Sequence, residues 1–298
     1  MEEIRQKKKE KNAVILAHYY VNDELQAIAD YVGDSFYLAK AATGTNADVV
    51  VFCGVSFMGE SVKLLNPEKT VLMPDAAADC PMAHMAKVER IRAYREQYDD
   101  LAVVCYINST AELKSYSDVC VTSSNAVKIV RALPNRNIYF IPDGNLGRYV
   151  AGQVPEKNVI LNDGYCPVHK AMTAGFIREA RKKHPAAQVL AHPECEEGVL
   201  ALADAVGSTA DIIRYAKESD CKEFIVCTEE GVAFRLRGDN PDKSFYFPDG
   251  CACCQDMKMN TLEKLLHVLT TGENAVELDE ALCRRAVLPL ERMLELAK

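Results

Sequence analysis

The chain has 298 residues, of which 49% are hydrophobic, and it carries a net charge of −8. That is enough apolar material for a substantial core, about two domains by length alone, and the acidic balance argues against a general binder of nucleic acid or of anionic membranes. The densely charged start, Met1 to Lys11, is unlike a signal peptide, and no apolar run approaches the roughly 20 residues of a bilayer span, so the expectation is a soluble cytoplasmic protein.

In chain order, a charged helix over 1–11 precedes a strand over 13–20 that contains His18 and Tyr20. A helix over 24–32 leads to Gly33-Asp34-Ser35, where Ser35 is placed to cap a helix over 36–42. A strand over 48–53, a helix over 56–65 stopped by Asn66-Pro67, and a strand over 70–73 follow, then Asp75 and Cys80. Strands alternating with helices, and strands that are continuous apolar runs, predict α/β structure with parallel sheets covered on both faces.

The same succession recurs twice. A helix over 88–98 and a strand over 101–108 (with Tyr106 and Asn108) lead through Ser123 and strands over 137–141 and 158–161 to Asp163 and Cys166. A helix over 173–183 and a strand over 188–194 (with His192 and Glu194) lead through Gly207-Ser208-Thr209 and strands over 223–227 and 244–247 to Asp249 and Cys254. Tyr106 follows His18 by 88 residues and His192 follows Tyr106 by 86; Ser35, Ser123 and Thr209 keep the same two offsets, as do Asp75, Asp163 and Asp249. Three features in one register define a threefold internal repeat, with units over 1–86, 87–172 and 173–259. The remainder, 260–298, reads as two amphipathic helices over 260–270 and 280–297, expected to pack on the body against the first unit.

Arranged about a pseudo-threefold axis, the units would bring their strand ends together, where parallel sheets bind ligands. His18, Tyr106 and His192 end the first strands, with Tyr20, Asn108 and Glu194 two residues on, on the same strand face by the period of two. Ser35, Ser123 and Thr209, each before a helix, suit a carboxylate or phosphate. Cys80, Cys166 and Cys254 would form a ring of three thiolates, which fits zinc with an open position or a 4Fe-4S cluster with one iron not held by protein. Zinc sites usually draw at least two ligands from one short stretch, so ligands about 87 residues apart suit the larger cluster better. Cys251 and Cys253 flank Cys254, and a redox-sensitive Cys251–Cys254 disulfide would compete with the metal. Cys53, Cys105, Cys120 and Cys227 lie in strand-like runs and read as small buried hydrophobes.

The motifs Ile15-Leu16-Ala17-His18-Tyr19-Tyr20, Gly33-Asp34-Ser35, Phe57-Met58-x-Glu60, Asp79-Cys80-Pro81-Met82-Ala83, Tyr106-x-Asn108-Ser109-Thr110, Cys166-Pro167-Val168-His169, His192-Pro193-Glu194-Cys195 and Gly207-Ser208-Thr209 run over nearly the whole chain, ending at Cys254, Met257, Asn260 and Leu262. Together they resemble the quinolinate synthases, although that pattern usually has Asn where this chain has Tyr19. The resemblance implies three αβα sandwich domains around a pseudo-threefold axis, a 4Fe-4S cluster on Cys80, Cys166 and Cys254, and condensation of iminoaspartate with dihydroxyacetone phosphate in NAD biosynthesis. It implies substrate contacts from His18, Ser35, Tyr106, Asn108, Ser123, His192, Glu194, Ser208 and Thr209. Glu194, Tyr106, Tyr20, His18 and His192 are the candidate catalytic groups, and an aspartate-oxidising enzyme is a candidate functional partner. Two alternatives remain open on the residues alone: another three-cysteine cluster enzyme, such as the diene-forming reductase of isoprenoid synthesis or the diphthamide-forming radical enzyme, and a cluster-based redox or anion sensor without turnover.

Overall fold

The structure is a computed structural model that describes residues 1–248, 250 and 252–298. Its described strands form three sheets. The first holds β1 (Ala13–His18), β2 (Tyr31–Gly33), β3 (Val49–Cys53) and β4 (Thr70–Leu72). The second holds β5 (Leu101–Tyr106), β6 (Val119–Val121), β7 (Asn137–Ile141) and β8 (Asn158–Leu161), and the third β9 (Gln188–Ala191), β10 (Ala205–Val206), β11 (Glu223–Cys227) and β12 (Ser244–Tyr246). Their spatial orders, β2-β1-β3-β4, β6-β5-β7-β8 and β10-β9-β11-β12, are one topology three times. The central pairs also share a register, with Ala17 opposite Cys53, Cys105 opposite Ile141 and Ala191 opposite Cys227, all parallel.

Parallel strands joined by helical crossovers are covered on both faces, so both sets of alternating side chains must be apolar. In the third sheet Val189, Ala191, Ile225 and Cys227 enter one core, while Leu190, Phe224, Val226 and Phe245 enter the core on the opposite face. The first two units instead share one continuous core that also takes in both C-terminal helices. Cys53, Cys105, Cys120 and Cys227 are buried in these strands, as small apolar residues would be. Three αβα units carrying C-terminal helices are therefore the architecture, as the repeat led us to expect.

The departures are local. The helix expected over 24–32 stops at Ile28, and Tyr31–Gly33 pairs with β1 as a strand. Ser35 does not cap its helix; Asp34 does, accepting the Tyr37 N–H, and Ser35 is the first helical residue. Thr209 is likewise the first helical residue, behind a Ser208 that forms a capping box with Asp211. The helix after Ser123 begins at Ala126, with Asn125 at the cap position. Of the C-terminal helices, Leu262–Thr271 lies on the first unit as expected, against Glu2–Glu10 and β3, but Glu280–Leu296 packs chiefly on the second, against Ala111–Ser115 and β6. An apolar stripe specifies a buried face and says nothing about which surface buries it. Thr261 caps Leu262–Thr271 through the Lys264 N–H at 3.3 Å, so Thr261→Ala is expected to cost about 1 kcal/mol, seen as a lower urea midpoint with an unchanged slope.

Candidate active site

A sheet of order 2-1-3-4 reverses its winding between its first and third strands, and the crevice at their carboxyl ends is where ligands bind. The first strands end at or beside His18, Tyr106 and His192. Two residues past the ends of the third strands stand Val55, Asp143 and Glu229. These crevices converge on one cavity of about 490 Å³.

Its walls bring together His18, Tyr20, Ser35, Cys80, Tyr106, Asn108, Ser123, Cys166, His192, Glu194, Thr209 and Cys254. Ser208 is the exception among the expected residues. It is fully buried behind the wall and spent on the helix cap, its hydroxyl donating to Asp211 at 2.7 Å. Because Asp34 and Ser208 do the capping, the Ser35 and Thr209 hydroxyls are free for other partners, and Thr209 Oγ1 lies 2.7 Å from Tyr20 Oη. Tyr20, Asn108 and Glu194 lie beyond the strand ends, in the following loops, so loop geometry and not strand alternation aims them at the cavity.

Each cysteine stands at the N-terminus of a short helix that opens with the next residue: Pro81–His84, Pro167–Ala171 and Gln255–Lys258. Backbone dihedrals are similar at all three, with φ/ψ of −126/111°, −78/119° and −88/105°. Burial pushes the Cys80 thiol up to about 12 and the Cys254 thiol up to about 11, and it raises Cys166 as well. Each is eased down by N–H groups of the helix it heads (Ala83, His169 and Met257), and Cys80 feels Cys254 while Cys166 feels Cys80. Three sulfurs in electrostatic reach of one another form a soft donor set. A single tetrahedral zinc would need them about 3.8 Å apart. Among the described residues the set of three ligand atoms found all within 4.8 Å of one another is Cys166, His169 and Glu194. The cysteine ring is wider than that and suits a polynuclear group better than one ion. The expected Cys251–Cys254 disulfide involves Cys251, which, like Asp249, lies outside the described residues. The other two repeated aspartates are not in the cavity: Asp75 pairs with Lys264 at 2.5 Å and Asp163 with Arg90 at 2.7 Å.

A hydrogen-bonded polar set adjoins the cysteines, with His169 Nδ1 3.2 Å from Cys166 Sγ. His18 Nδ1 accepts the Tyr20 N–H at 3.2 Å and His192 Nδ1 the Glu194 N–H at 3.3 Å. Burial pushes both imidazoles down to about 3 against the pull of Glu194. Both rings are therefore neutral with the proton on Nε2, which makes them uncharged donors. Burial raises the Glu194 carboxyl, but the His169 N–H beside it pulls the other way and the carboxyl stays ionised, at about 2. His169 Nδ1 donates to Glu194 Oε2 at 2.7 Å, and its Nε2 lies 3.0 Å from Thr228 Oγ1, which is 2.8 Å from Tyr20 Oη. Burial and the Glu194 charge raise Tyr20 and Tyr106 well above the usual phenol value, so both keep their protons. Glu194 Oε1 and Asn108 Oδ1 are buried without a hydrogen-bond partner. A buried polar atom normally has one, and both of these residues line the cavity.

His169, Thr228, Asp143 and Glu229 were not singled out from the sequence. His169 closes the Cys-Pro-Val-His stretch, and Asp143 and Glu229 stand 86 residues apart, in the repeat's own register. The first unit has Val55 there, so a search for features present in all three units passes over them.

A family model described as "Quinolinate synthetase A protein" matches residues 2–295. Among curated relatives, the quinolinate synthase of Fusobacterium nucleatum subsp. nucleatum is 53% identical, over 99% of this chain and 98% of the relative. That of Clostridioides difficile is 49% identical over 99% and 97%, and that of Caldicellulosiruptor saccharolyticus 48% over 99% and 97%.

Proposed function

Since the chain belongs to the quinolinate synthetase A family, we propose that it is a transferase of NAD biosynthesis that condenses iminoaspartate with dihydroxyacetone phosphate, giving quinolinate, one phosphate and two waters. Among the described residues no helix is long and apolar enough to cross a membrane, and we place the activity in the cytoplasm. Iminoaspartate hydrolyses readily, so an enzyme that oxidises aspartate is the natural source. The observation that carries this reading is the cavity in which three cysteines, the buried Glu194 carboxylate and neutral donors from all three units come together.

Cys80, Cys166 and Cys254 would hold a 4Fe-4S cluster, which when bound supplies a Lewis-acidic iron without a protein ligand. His18 and His192 bind anionic oxygens through Nε2–H without adding positive charge, so dianionic substrates are recognised by hydrogen bonds and can leave. Ser35, Ser123 and Thr209, one from each unit, offer hydroxyls for the phosphate and carboxylates. Asn108 orients its ligand through the unpartnered Oδ1. Glu194 removes protons during ring closure, and Tyr106 and Tyr20 donate protons to the departing oxygens.

Anaerobically reconstituted protein is expected to release phosphate and form quinolinate in equal amounts from dihydroxyacetone phosphate and iminoaspartate generated in place from oxaloacetate and ammonia. Cluster-loaded protein that forms neither product would refute the assignment.

A further inference from the structure

Asp143 and Glu229 are buried carboxylates, 0% and 1% exposed, at equivalent places in the second and third units. Asp143 Oδ2 accepts the backbone N–H of Cys166 at 3.2 Å, and its Oδ1 is pinned by the Leu146 N–H at 2.7 Å. Glu229 Oε1 accepts the backbone N–H of Cys254 at 3.1 Å, and its Oε2 is pinned by the Gly231 N–H at 2.7 Å. Lys258 stands 3.1 Å from the same Glu229 oxygen and donates to Tyr20 O at 2.7 Å.

Burying a carboxylate is costly unless it is fully satisfied, and although Asp143 and Glu229 also cap the helices they precede, Gly144–Gln153 and Glu230–Val232, the fold does not depend on such a cap. The first unit folds to the same topology with Val55 at this position. There a carboxylate reaches the cysteine by another route: Asp79, next to Cys80 and beside its N–H, is held by Ser56 Oγ and by His84 Nε2 at 2.7 Å. In each unit a carboxylate thus lies beside the cysteine N–H, although only the second and third units use it as a helix cap.

We propose that Asp143 and Glu229 are positioning residues that seat the cluster: each fixes the main chain of one cysteine so that its sulfur is presented before the metal arrives. This rests on the reading of the three cysteines as ligands of one iron–sulfur cluster. Ligand loops without such an anchor would have to be ordered by the cluster itself, at a cost in metal retention; partners of this kind are generally worth about 10- to 100-fold in metal affinity.

The test uses the full chain, reconstituted anaerobically, with Asp143→Ala and Glu229→Ala set beside Asp143→Asn and Glu229→Gln. Iron and sulfide per chain, the rate of iron loss to a chelator and the thermal transition are measured for each. The Ala variants are expected to lose iron about 10- to 100-fold faster than the parent while keeping a cooperative transition. The Asn and Gln variants, whose carboxamide oxygen still accepts the cysteine N–H, are expected to stay within about threefold of the parent. Ala variants that hold iron as the parent does overturn the proposal, as do Asn and Gln variants as leaky as Ala, or iron loss that merely follows unfolding. A parent chain that binds no iron overturns the cluster reading and this inference with it, whereas a full parent beside equally full Ala variants overturns this inference alone.

Discussion

Glu194→Gln is expected to keep its iron and lower kcat by about 10²- to 10⁴-fold, the usual worth of a positioned acid–base group, with little change in KM. Gln is nearly isosteric and its oxygen can still accept the His169 Nδ1–H, so the local geometry survives while the capacity to take a proton is lost. The carboxyl is ionised because the His169 N–H beside it counters its burial. An anionic substrate entering beside Oε1, which has no hydrogen-bond partner, raises that pKa toward a range useful for a base. In the free enzyme the value of about 2 means that Glu194 contributes no acid limb to kcat/KM above about pH 4. Steady-state kinetics with iron analysis decides the matter, and a variant turning over at the parent rate would remove Glu194 from the chemistry.

The second large effect is loss of stability in mild acid. His18 and His192 have folded values of about 3, pushed down by burial, against an ordinary value near 6.5 in the unfolded chain. Between those limits the unfolded chain binds more protons, so the contribution is complete above about pH 6.5 and declines as pH falls toward 3. Each histidine removes about 1.4 kcal/mol per pH unit over that window, or about 4 kcal/mol for the pair at pH 5 relative to pH 7.5. Urea unfolding at the two pH values measures the difference. A His18→Asn/His192→Asn double variant is expected to abolish most of it, and an equal acid loss in parent and double variant would show that other groups carry it.

Much of this organisation is legible in the sequence, because the repeat is written in chemistry as well as in hydrophobicity. A strand-end His or Tyr, a hydroxyl residue and a cysteine at offsets near 87 residues locate one crevice in each unit, and the third offset picks Cys254 from a cysteine-rich stretch. What stayed hidden has physical causes. Strands β2, β6 and β10 are two or three residues long, too short for any periodicity to show. Asp34 and Ser35 are both good caps by type, as are Ser208 and Thr209, so propensity alone cannot place a helix start to within one residue, although that residue decides which hydroxyl faces the cavity. His169 acts through contacts with Glu194 and Thr228, 25 and 59 residues distant in sequence, which no local pattern encodes. Asp143 and Glu229 follow the repeat, but Val55 breaks it in the first unit.

If three cysteines, one from each unit, hold one cluster, iron and acid-labile sulfide counts on anaerobically prepared cysteine variants will show it. We expect about four irons and four sulfides per chain in the parent, nearly none in Cys80→Ser, Cys166→Ser and Cys254→Ser, and parent-like content in Cys251→Ser and Cys253→Ser. A parent chain that binds a single zinc, or a full cluster in Cys254→Ser with loss in Cys251→Ser or Cys253→Ser, would rule out this ligand set.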